Sequence, residues 1–138
     1  MKKALAAILV ILLGLAAVGG YILLEHTFPV AEPIDCPNEE DVTWISLAQN
    51  NDPSISIEVS EFGMFFEGIR KAEPTRIWSV QESPAAENYY TVVVETPDRP
   101  YRFHVYAEDS RVYLESPYEG VYQTNQQLLD FLGGFFKD

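Results

Sequence analysis

The chain has 138 residues, 47% of them hydrophobic and 13% aromatic, and carries 9 Lys and Arg against 21 Asp and Glu for a formal charge of −12 at pH 7. So acidic a chain is repelled by a phosphate backbone, which excludes nucleic-acid binding. The single Cys excludes an intrachain disulfide, so stability must come from a packed core.

Met1-Lys2-Lys3 opens the chain, and Ala4 to Leu24 then runs without a charge. Such a stretch, as a helix, rises about 30 Å, the thickness of a bilayer's hydrocarbon core. With Lys2 and Lys3 before it and Glu25, His26 and Glu32 after it, the charge asymmetry keeps the amino terminus in the cytoplasm. The run is longer than the roughly 7–15 apolar residues of a secretory signal. That favours residues 1–24 as a retained signal-anchor. Small residues at Ala17 and Gly19 leave a cleaved signal peptide, and hence a secreted domain, as the second form of export. The seven remaining Lys and Arg then face all 21 acids, so the part beyond Leu24 has a formal charge of −14.

Residues 25–40 read as an acidic tether containing Pro29, Pro33 and Pro37, and Cys36 within it reads as an unpaired thiol. Residues 41–138 read as one extracytoplasmic α+β domain. Val42 to Leu47 and the alternating Ser54 to Val59 predict a hairpin around the turn cluster Gln49 to Pro53. Phe62, Phe65, Phe66 and Ile69 fall at helical spacing and predict an amphipathic helix that starts near Ser60 or Glu61 and stops before Pro74. Strands are then expected at Arg76 to Val80, Tyr89 to Glu95, Tyr101 to Ala107 and Arg111 to Glu115, with a short one at Gly120 to Tyr122. Thr124-Asn125-Gln126-Gln127 fits a capping box ahead of a closing helix with Leu128, Leu129, Phe131, Leu132 and Phe135. The short links suit antiparallel neighbours. The fold class is therefore α+β: an N-terminal transmembrane helix, then a small antiparallel sheet with two helices packed on one face.

Motifs for catalysis are lacking. No serine stands in a nucleophile setting, and there is no phosphate-binding glycine loop. Asp35, Glu39, Glu40 and Asp41 lack the ligand alternation and mid-loop Gly of a calcium loop, and two distant His with one Cys give no zinc spacing. No catalytic residue, cofactor or metal site is predicted. By alternation His104 shares the open face of its strand with Arg102 and Tyr106. The resulting candidate interaction surface is Arg76, Arg102, His104, Tyr106, Arg111, Tyr113 and Tyr118, since Tyr and Arg are enriched in binding contacts.

Two segments, Pro74-Thr75-Arg76-Ile77-Trp78-Ser79-Val80-Gln81-Glu82-Ser83-Pro84 and Val112-Tyr113-Leu114-Glu115-Ser116-Pro117-Tyr118-Glu119-Gly120-Val121-Tyr122, carry a resemblance. Together they resemble a family of small uncharacterised extracytoplasmic domains, from exported or membrane-anchored proteins of Gram-positive and often gut bacteria. The likeness spans about Val42 to Phe131 and implies a compartment rather than an activity. Thr75, Arg76 and Ser79 are expected against the Pro117 to Gly120 turn, as a structural clasp or as the rim of a site. The functional expectation is a membrane-anchored interaction or accessory module. It would be held through residues 4–24 and act on another envelope or extracellular protein. The alternatives are a small-ligand or sensor domain using the aromatic sheet face and, third, a weak hydrolase-like enzyme.

Overall fold

The computed structural model describes residues 1–137. Asp138, the last residue of the expected domain, and the Lys2 side chain of the basic flank lie outside the described residues. The chain divides into two compact units, meeting between Val30 and Ala31. The first contains α1, Lys2–Thr27, whose apolar side chains are exposed throughout. At 1.5 Å per residue its 26 residues extend about 39 Å, so it is long and apolar enough to cross a membrane.

The second unit is an antiparallel sheet with two helices. Its strands are β1 (Trp44–Gln49), β2 (Ile55–Ile57), β3 (Glu73–Pro74), β4 (Tyr89–Glu95), β5 (Pro100–Glu108), β6 (Arg111–Ser116) and β7 (Gly120–Thr124). Their order across the sheet is β2-β1-β4-β5-β6-β7-β3, with every neighbouring pair antiparallel. Asp109 and Ser110, both at positive φ, make the β5–β6 turn in the backbone hand that suits a twisted hairpin.

The helices are α2 (Gly63–Lys71) and α3 (Gln126–Gly134). Phe62, Phe65, Phe66 and Ile69 form the predicted apolar stripe, and all are buried. They join Leu128 and Leu132 of α3 over Ile45, Leu47, Val92, Val94, Phe103, Val105 and Leu114 of the sheet. Alternation thus places one residue in two from β1, β4, β5 and β6 beneath the helices. Residues 59–61 take a tighter 3-10 turn, which delays α2 to Gly63. Helix α3 is capped by Asn125 rather than Thr124: the Asn125 side chain accepts a hydrogen bond from the Leu128 amide at 3.1 Å.

Two expected elements are corrected. Arg76 to Val80 is not a strand; the only pairing in this region is Glu73–Pro74 with β7, and residues 75–88 form an irregular loop. The segment expected to be a tether up to Glu40 is, from Ala31 on, part of the sheet domain. Ala31, Ile34 and Cys36 pack against the main core, the Ala31 amide donates to the Thr75 carbonyl at 2.9 Å, and the Tyr122 hydroxyl donates to the Glu32 carbonyl at 2.7 Å. A Cβ on Gly120 would lie 2.7 Å from the Ala31 Cβ, so this strap seats only because position 120 has no side chain.

Candidate interaction surface

The second face of the sheet is closed by the 75–88 loop, and the bonds that hold the loop define the site. At its start Thr75 doubles a bond to β7: its amide and its hydroxyl both donate to the Val121 carbonyl, at 3.1 and 2.7 Å. Ser79 turns inward, donating from Oγ to Glu115 Oε1 at 2.6 Å and accepting from the Tyr118 amide at 3.1 Å. The Glu82 carbonyl is 2.7 Å from His104 Nε2. Pro84 is buried, and Ala86 packs with Tyr89 on a small cluster of Tyr106, Tyr113 and Val121.

The polar groups beneath the loop are mutually satisfied. Since a carbonyl only accepts, Nε2 of His104 carries the proton it donates to Glu82, and Nδ1 at 3.0 Å accepts from the Thr91 hydroxyl in the neutral ring. Burial holds the His104 pKa below its ordinary value, against the opposing pull of the Glu82 carbonyl and the Glu115 charge. Tyr106 donates to Glu115 Oε2 at 3.2 Å, and burial together with that carboxylate raises its pKa. Among the described residues no buried side-chain polar atom lacks a partner, and no group of three His, Cys, Asp or Glu could hold a metal. Ser79, Glu115 and His104 therefore meet beneath one loop without making a nucleophile. The serine is bonded to the carboxyl rather than the imidazole, and both imidazole nitrogens are occupied.

This arrangement corrects the open tyrosine face expected from alternation. His104 is 2% exposed, and Tyr106 and Tyr113 are also buried. Arg102 and Arg111 are exposed, Arg76 is half-buried, and Tyr118 is exposed. The seven residues accordingly divide between a buried clasp and separate parts of the surface.

The residues that sequence reasoning missed are those next to the inward serine. Ile77, Trp78 and Val80 are 48, 63 and 71% exposed, and Tyr118, whose amide Ser79 holds, is 65% exposed. Tyr118 has φ 63°, a left-handed conformation that costs a side chain about 1–2 kcal/mol. Like Asp109 and Ser110, it lies in a hairpin turn, here the one between β6 and β7. The available signal was the Ile-Trp-Ser-Val order itself, in which one polar residue interrupts an apolar run.

Beside Tyr118 a cavity of about 220 Å³ is lined by Glu82, Arg99, Tyr101, Arg102 and Glu119, smaller than ordinary ligand sites. Arg99 there lies over the Tyr101 ring at 4.4 Å and forms an ion pair with Asp35 of the strap. A larger cavity of about 430 Å³ opens between β4 and α3 at Tyr89, Tyr90, Leu129 and Lys137.

Residues 30–123 match the family described as Domain of unknown function (DUF5300). The match starts before Val42 and so takes in the strap. No curated protein matches the chain. An NMR structure of a protein from Ruminococcus gnavus is similar at a TM-score of 0.57 and 24% identity, over 71% of this chain and 97% of that one. At that identity the likeness is one of fold.

Proposed function

Because the chain belongs to this family of domains of unknown function, we propose its role from its own geometry: a membrane-anchored, extracytoplasmic interaction module without catalytic machinery. The observation that carries the reading is the clasped loop. A strand-like run holding Trp is kept irregular by inward bonds from Thr75 and Ser79, and these leave Ile77, Trp78 and Val80 facing water with Tyr118. Collapse would hide such side chains; holding them out is what a binding surface needs. The anchor is α1, with the domain outside the cytoplasm on the strength of Lys2 and Lys3 at one flank and no Lys or Arg before Arg70 at the other.

The test is protease accessibility on intact cells and on spheroplasts, followed by alkaline extraction of membranes. The domain should be digested from outside while α1 stays with the lipid. Protection of the domain in spheroplasts would overturn the topology. Ligand capture remains a second reading, moved from the aromatic sheet face to the cavity between β4 and α3, where Tyr90 and Lys137 line about 430 Å³.

A further inference from the structure

The loop that carries Trp78 is tied to the place where the sheet domain begins. Ala31, its first residue, donates its amide to Thr75, two residues before Ile77. Only Phe28-Pro29-Val30 separate Ala31 from the end of α1 at Thr27, and four peptide steps reach at most about 14 Å in any conformation. Those three residues carry no charge. A segment meant to lift the domain into water would be longer and polar; this one is three uncharged residues.

We infer that Ile77, Trp78 and Val80, with Tyr118, form a foot that inserts into the interface of the bilayer holding α1. The inference rests on the anchored reading above and names the partner of the same surface. Its composition fits that partner. Trp and Tyr concentrate at membrane–water interfaces, where an apolar body and a polar tip are both satisfied, and Ile and Val extend the apolar contact. Charge is not the driving term, because the exported domain has a net charge of −14 and beside the loop Glu82 and Glu119 offset Arg99 and Arg102. The contact is therefore made with zwitterionic lipid as readily as with any other and does not weaken in salt. The inward bonds of Thr75 and Ser79 supply the rigidity, so the foot loses little freedom on insertion.

The test uses the full chain in phosphatidylcholine vesicles with acyl chains brominated near the headgroup. The sequence has two Trp, at 44 and 78, so Trp44→Phe leaves Trp78 as the single reporter and Trp78→Phe leaves Trp44 as the control. The expected result is strong bromolipid quenching and a blue shift of Trp78, unchanged in high salt, with Trp44 little affected. Alkaline extraction of the same vesicles reads α1 separately. A chain that resists extraction while Trp78 stays open to acrylamide overturns the foot and leaves the anchor standing. A chain released by alkali overturns both. Shielding of Trp78 only after envelope proteins are added overturns the lipid foot in favour of a protein partner.

Discussion

Ser79 is the residue on which the loop's shape depends. It satisfies a buried carboxyl oxygen and the amide of strained Tyr118 together. Ser79→Ala leaves both without that partner, so we expect a loss of about 1–3 kcal/mol in urea unfolding and faster proteolysis between Arg76 and Ser83. His104 was placed on an open face by alternation. Alternation is correct about which residues share a side but silent on what covers it; Glu82, 22 residues earlier, supplies the cover. The buried ring gives a sign to the pH dependence. Its folded pKa lies below that of the unfolded chain, near 6.5, so unfolding takes up a proton between the two values. Stability is full above about pH 6.5 and falls as the pH drops through it. Urea midpoints measured across that range should decline for the native chain and stay flatter for His104→Gln. Glu115 and Arg102, the charged neighbours, act on the ring in opposite senses and leave burial as the deciding effect.

At the scale of elements, β4 to β7 were legible as β-prone runs between short turns, α2 by the spacing near 3.6 of Phe62 to Ile69, and α3 by its capping residues ahead of an apolar run. The misread pieces are those whose conformation is decided by distant residues. Arg76 to Val80 has the composition of a strand but finds no strand to pair with; Ser79 bonds to Glu115 and Tyr118 instead, and the Ile77 amide donates to the Thr75 hydroxyl. The strap looks like a tether because its prolines and acids show no period, while the space it occupies is created by Gly120, far along the chain. Gly120→Ala brings Cβ against Cβ at 2.7 Å with no flexible tip to yield. It should lift the strap and lower stability by about 1–3 kcal/mol, the range of overpacking. Cys36 reports the change. Burial pushes its thiol up to about 11, so alkylation is slow in the native chain and should speed up in the variant.

For the whole molecule, the division at Val30 means that the sheet domain holds its core without α1. A chain beginning at Phe28 should therefore melt in one cooperative transition, at a temperature close to that of the domain in the full chain solubilised in detergent. A markedly lower melting temperature would show that the sheet domain draws stability from α1. Hydropathy made α1 legible at once; the proposed surface was not, since a clasp assembled from Thr75, Ser79, Glu115 and Val121 exists only after the sheet has formed. The sheet ends on β2, three residues long, and on β3, only two, with Pro74 unable to donate an amide. Chains confined to a membrane meet one another at far higher effective concentration than chains free in solution. Stunted borders of this kind deny neighbours a template for strand-to-strand growth, so for a chain anchored as proposed, crowding along the bilayer need not become aggregation.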